Sequence, residues 1–197
     1  MKAVYLVIVF CLTFNLYAQE EKQKDIFKNK GYFNITKFTH YRVSNANLDF
    51  VDTDNSITRT DVKGNSPNGN SLQTINGYFI NPKISLGIGL GIERFNSPDA
   101  NTFPIFLDVR YYLEDDYNSF YAFADAGFLS KLDNSFRKGG MLGGGIGYKF
   151  FINSNKTIAL VFDVGYYHRL IKIPFDNNPN TSDLILNGFS FSLGVIF

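Results

Sequence analysis

Apolar and polar residues alternate along most of this chain with a period of two, which is the pattern of β-strands rather than helices. The stretch from Ile84 to Glu93 is the clearest case. Ile84, Leu86, Ile88, Leu90 and Ile92 share one face, and Ser85, Gly87, Gly89, Gly91 and Glu93 share the other. The last segment repeats the pattern, with Phe189, Phe191, Leu193, Val195 and Phe197 opposed to Ser190, Ser192 and Gly194. Likewise Ile105, Leu107, Val109 and Tyr111 oppose Phe106, Asp108, Arg110 and Tyr112, and Ile158, Leu160, Phe162 and Val164 oppose Ala159, Val161, Asp163 and Gly165. Eight strands are predicted, over 31–43, 72–81, 83–95, 103–113, 119–130, 139–151, 157–170 and 184–197. The first two alternate less cleanly, and their facing stays open.

The connections carry a second pattern. Long or medium segments (44–71, 96–102, 131–138, 171–183) alternate with tight turns at Asn81-Pro82, 114–118 and 152–156. An up-and-down arrangement then gathers the long segments at one end and the tight turns at the other. Proline agrees. Pro67, Pro98, Pro174 and Pro179 fall between strands, Pro82 in a turn, and Pro104 at a strand start. None removes a hydrogen bond from a strand interior.

Two all-β architectures use such alternation. A soluble sandwich or lipocalin turns its apolar face inward and its other face to water. A transmembrane barrel turns the apolar face to lipid and the small or polar face to the lumen. Here the second face is rich in Gly, Ser and Ala with isolated charges, which suits a narrow lumen better than a hydrated surface. The strands also exceed the usual ~5–6 residues of soluble proteins and match the ~9–11 that cross a bilayer at a tilt. Aromatics bunch near the tight turns, at Phe79, Tyr111, Tyr112, Phe120, Tyr121, Tyr148, Phe150 and Phe151. That bunching predicts an interfacial girdle. The expected fold is an all-β, eight-stranded antiparallel up-and-down transmembrane β-barrel over residues 31–197.

Composition narrows the alternatives. Of 197 residues, 17% are aromatic and 19% charged, which argues against disorder. A mean hydropathy of −0.09 with no long apolar run after the N-terminus argues against membrane helices. Residues 1–18 have the layout of a cleaved signal peptide: Lys2, an apolar run from Ala3 to Phe14, and Ala18 before Gln19. Residues 19–30 read as a flexible lead-in. Cleavage takes away Lys2 and the single cysteine, Cys11, so the formal charge of +1 becomes zero. No disulfide, thiol chemistry or nucleic-acid footprint is then expected.

The terminal strand, the Gly-rich inner face (Gly87, Gly89, Gly91; Gly143, Gly145, Gly147) and the alternating connections resemble the small bacterial outer-membrane β-barrels of the OmpA-transmembrane or OmpX type, within the broad porin-like group. The resemblance covers the chain after residue 18. It implies an outer-membrane location with both ends in the periplasm and contact with outer-membrane lipid. It also implies handling by the barrel-assembly machinery, through a C-terminal signal made of Phe189, Phe191, Leu193, Val195 and Phe197. It implies no particular activity.

Candidate chemistry is sparse. Glu93, Asp108, Arg110, Asp125, Lys149, Asp163 and Arg169 fall on or near the inner face, and confinement in a narrow barrel should force them into an ion-paired network. The leading expectation is a polar plug, and a gated ion path is the alternative. His40 and His168 are expected at the outer rim. Lipid-modifying barrels use a rim histidine with Ser or an acid, but the spacings to Ser44 and Asp163 do not place such a pair on one face. No cofactor or metal is expected: the glycine runs lack a following helix. The series Asp52, Asp54, Ser56 lacks the glycine and the final Glu of a calcium loop, where Lys63 stands instead. The leading function is therefore non-enzymatic: envelope integrity, with loops 44–71 and 171–183 presented to an extracellular partner. A narrow channel, a lipid-modifying enzyme and a secreted lipocalin-like binder are the competing readings.

Overall fold

The computed structural model describes residues 29–51, 57–62, 64, 68–96, 99–114, 118–132, 136–152, 157–175 and 178–197. The signal segment, the Asp52–Ser56 series and Lys63 lie outside them. The described residues form ten strands: β1 (Gly31–Val51), β2 (Ile57–Asp61), β3 (Asn68–Asn81), β4 (Ile84–Asn96), β5 (Asp99–Tyr112), β6 (Ser119–Ser130), β7 (Phe136–Arg137), β8 (Gly139–Phe151), β9 (Ala159–Phe175) and β10 (Asn178–Ile196). Eight of them are staves, each hydrogen-bonded antiparallel to its neighbours in the order β1, β3, β4, β5, β6, β8, β9, β10. The ring closes where β10 pairs with β1, from Ile35 opposite Ile196 to Asp49 opposite Asp183. Closure leaves no stave with an unpaired edge, which is what a sheet needs in hydrocarbon. The other two strands are accessory. β2 pairs with the upper part of β1, and β7 runs parallel beside the start of β5.

The alternation predicts the sidedness of the staves. Leu86, Ile88, Leu107, Val109, Phe162, Val164, Phe189, Phe191 and Leu193 are all exposed on the outer wall, while their sequence neighbours are buried. The facing left open for the first two strands is also fixed. Lys37, Thr39 and Tyr41 of β1 and Ser71, Gln73 and Ile75 of β3 point inward.

Three expectations need correction. First, much of 44–71 and 171–183 is not loop. β1 continues to Val51, β9 to Phe175, and β10 begins at Asn178, so the wall β9–β10–β1–β2 extends past the level where β4 and β5 turn over. Short runs of alternation are present there, with Ala46 and Leu48 against Asn47 and Asp49 and Ile171 and Ile173 against Lys172, but in β1 they are out of step with the lower part of the strand, so no continuous period marks the extension. A register shift between Val43 and Asn45 reverses the side of the chain. Tyr41 and Val43 point inward below it, and Ala46 points inward above it. Second, the aromatics near the tight turns do two jobs. Tyr111 and Phe120 lie on the outer wall, with Tyr148 and Phe150 partly exposed beside them, whereas Phe79, Tyr112 and Tyr121 are buried in the lumen. Third, the lead-in is anchored at its end, because Asn29 is buried. Its amide donates to the Pro82 carbonyl at 2.8 Å, and its Oδ1 accepts from Lys149 Nζ.

Candidate functional site: the charged lumen

Period-two geometry sends every second side chain of eight staves into one narrow space. All seven charged residues expected there, Glu93, Asp108, Arg110, Asp125, Lys149, Asp163 and Arg169, are buried and face it. Lys37 joins them. Sequence reading missed it because β1 carries Phe33 and Ile35 inward and Asn34 and Thr36 outward near its start, which inverts the usual polarity and hides the period.

The charges form two knots and a floor. In the upper knot, Glu93 of β4 meets Arg169 of β9 across the lumen, with Nη2 to Oε1 at 2.8 Å and Nε to Oε2 at 3.2 Å. Glu93 also accepts from Tyr41 (2.8 Å), Gln73 (3.2 Å) and Thr102 (2.9 Å). The Arg169 guanidinium lies over the rings of Tyr41 and Tyr167, at 5.5 and 5.6 Å. In the lower knot, Arg110 grips Asp108 on its own strand through Nε (2.9 Å) and Nη2 (3.1 Å). Its Nη2 is also 3.9 Å from Asp163. Asp163 accepts from Lys37 at 3.2 Å and from the Tyr121 hydroxyl. Arg110 sits over Tyr121 at 5.0 Å. In the floor, the Lys149 ammonium donates to Asn29 and lies 5.0, 5.2 and 5.9 Å from the rings of Tyr112, Phe151 and Phe79. Burial of these ions is compensated by pairing, hydrogen bonds and ring faces, which is the condition for keeping charge away from water.

Asp125 differs from the other acids. It stands across from Asp108 on the adjacent strand, and its Oδ1 has no hydrogen-bond partner. Beside it is a cavity of about 20 Å³, lined among others by Lys37, Thr39, Gly143, Tyr167 and Ser190. That volume suits roughly one water. Above the knots the lumen becomes apolar, closed by Phe95, Leu129, Met141, Ile171, Leu184 and Leu186.

The histidines lie outside this network. His40 Nδ1 donates to Asn70 Oδ1 at 2.9 Å on the outer face, and His168 Nδ1 to Asn187 Oδ1 at 2.6 Å. Asp163, the acid considered for His168, faces the lumen instead and belongs to the lower knot. Among the described residues, no three of His, Cys, Asp and Glu gather to hold a metal. The residues of the C-terminal pattern, Phe189, Phe191, Leu193, Val195 and Phe197, lie along the outer wall.

No protein-family model matches the chain, and no curated protein matches it. Solved structures share its fold. One is outer membrane protein AlkL, determined by solid-state NMR in DMPC lipid bilayers. It is 17% identical with a TM-score of 0.53, over 91% of this chain and 95% of that one. Another is the outer membrane protein OprG from Pseudomonas aeruginosa, 14% identical with a TM-score of 0.55, over 87% and 98%. At such identities the likeness is one of architecture. With the closed ring of eight antiparallel staves and the apolar outer wall, it shows that this chain has the fold of the small eight-stranded outer-membrane β-barrels.

Proposed function

We propose that the protein is a non-enzymatic outer-membrane barrel with a closed lumen, which supports the envelope and acts through the face it shows outside the cell. In this reading residues 1–18 direct export and are removed, and both ends of the mature chain lie in the periplasm. The C-terminal pattern of Phe189, Phe191, Leu193, Val195 and Phe197 serves the barrel-assembly machinery. The observation that carries the reading is the filled lumen: two ion-paired knots between an apolar top and the Lys149–Asn29 floor. The cavity beside Asp125, about 20 Å³, is far below what a conducting path requires. With the interior committed to packing, the surface open to an extracellular partner is the raised wall β9–β10–β1–β2, which carries the described parts of 44–71 and 171–183.

Planar-bilayer recording of the refolded protein tests this, with mobility on unheated gels confirming that the barrel is folded. No discrete conductance steps are expected. Regular steps from the folded form would overturn the closed-lumen reading in favour of a narrow channel.

A further inference from the structure

The outer wall is apolar nearly all the way round between its lower aromatic row and the histidines near its upper rim. One seam breaks it. Among the described residues, the polar outward side chains inside that band are Asn34 and Thr36 of β1 and Thr74 and Asn76 of β3. They are neighbours: Asn34 stands opposite Asn76, and Thr36 opposite Thr74. The Asn34 amide donates to Thr74 Oγ1 at 3.0 Å and to Asn76 Oδ1 at 2.8 Å, and its Oδ1 accepts from the Thr36 hydroxyl at 3.2 Å. Asn34 is covered by this cluster, whereas Thr36 and Asn76 are exposed. At the same registers the flanking strands present Ile88 and Leu90 on one side and Val195 on the other, so the seam is not merely the point where the wall leaves the hydrocarbon.

Polar groups facing lipid are unfavourable, and in membranes they act as contact points between proteins. We propose that the β1–β3 seam is an interaction surface on which a second copy of this chain docks side by side in the bilayer, seam against seam. Three features select this occupant. The seam is uncharged, so it offers nothing to an anionic headgroup. It lies within the apolar band, below the level of surface ligands. Its amide and hydroxyl groups both donate and accept, so the seam is complementary to itself about a twofold axis along the membrane normal, as an isologous contact requires. The inference rests on the barrel lying in a bilayer.

The test uses the chain from Gln19 onward, which carries no cysteine, refolded into phosphatidylethanolamine–phosphatidylglycerol vesicles. Thr36→Cys on the seam and Ile146→Cys on the opposite wall are oxidised in parallel. Thr36→Cys should form disulfide-linked dimers several-fold faster than Ile146→Cys. A second variant, Asn34→Leu/Thr36→Val/Thr74→Val/Asn76→Leu, should lose the dimer seen with an amine-reactive cross-linker while keeping its unheated gel mobility. Equal cross-linking of the two cysteine variants, or an unchanged dimer fraction in the apolar variant, overturns the proposal. So does a folded protein that remains monomeric and cross-links at Thr36→Cys only to a different protein in native membranes. Loss of the heat-dependent mobility shift in every sample would instead count against the barrel reading itself.

Discussion

Glu93 and Asp125 are both carboxylates buried in one lumen, yet their surroundings are opposites. Glu93 accepts from Arg169, Tyr41, Gln73 and Thr102, so both of its oxygens are occupied. Asp125 leaves one oxygen without a partner beside a small cavity, and it faces another acid, Asp108, across the strand pair. Residue type and burial alone do not distinguish them. What separates them is the register of the neighbouring staves. Glu93 lies where β1, β3, β5 and β9 all bring polar side chains to one point. Asp125 lies beside the glycine-rich stretch of β8, where Gly143 and Gly145 bring none.

The sharpest way to break the contrast is to neutralise each acid in turn. Glu93→Gln leaves the Arg169 guanidinium buried without a counter-charge, which costs about 3–5 kcal/mol. Asp125→Asn should change stability by less than about 1 kcal/mol, since it removes a carboxylate oxygen that has no partner to lose. Urea unfolding in detergent micelles, followed by tyrosine fluorescence, reads both. Equal losses would mean that the Asp125 carboxylate is held as firmly as that of Glu93.

Glycine offers a second comparison, on β8 itself. A methyl added at Gly145 would lie 2.2 Å from the Val164 carbonyl oxygen and 2.5 Å from the Gly165 Cα, both backbone atoms that cannot step aside. At Gly143 the nearest atom would be 3.8 Å away, because the cavity is there. Gly145→Ala should therefore cost about 1–3 kcal/mol, the usual range for forced overpacking, while Gly143→Ala should be nearly neutral. Matching midpoints in the same unfolding assay would show that the cavity does not separate the two sites.

Much of this was legible beforehand. Ile84–Glu93 and Phe189–Phe197 alternate without interruption, so their facing follows from the sequence. The charges on such strands, Glu93, Asp108, Arg110 and Asp163, could be assigned to the lumen. Their partners could not. Lys37, Tyr41 and Gln73 belong to β1 and β3, where the apolar Phe33, Ile35, Ile75 and Phe79 point inward and the polar Asn34, Thr36, Thr74 and Asn76 lie on the outer side. A two-residue period then gives no sign of which face is which. The pairing of Glu93 with Arg169, far apart in the chain, depends on ring closure and register, which no local pattern encodes. The upper wall was read as loop for a related reason. The register shift at Val43–Asn45 breaks the period, and beyond it the strand is continued by the β1–β10 ladder, which sets Ala46 opposite Leu186 and Leu48 opposite Leu184.

The smallest expected effect concerns that upper wall, where one ion pair can be set against those of the lumen. Asp49 of β1 accepts from Arg59 of β2 through both oxygens, at 2.7 Å each. These hydrogen bonds hold the Asp49 carboxyl below its usual range. A carboxylate whose folded value is depressed stabilises the folded form above its unfolded value, and that contribution fades as pH falls through the folded one. The β1–β2 pairing should thus be tightest at neutral pH and loosen in acid, below the ordinary carboxylate range. The pair is largely solvent-exposed and screened by salt, so the effect is local and leaves global unfolding unchanged. Amide hydrogen exchange at Thr58 and Thr60 reports it. Exchange there should rise in acid beyond the intrinsic pH dependence, and Asp49→Asn should show the faster rate already at neutral pH. In the lumen, exchange on β4 and β9 around Glu93 and Arg169 should not change over the same range, because that pair is shielded from solvent on every side. A parallel response of both regions would erase the distinction between a buried knot and an exposed clasp.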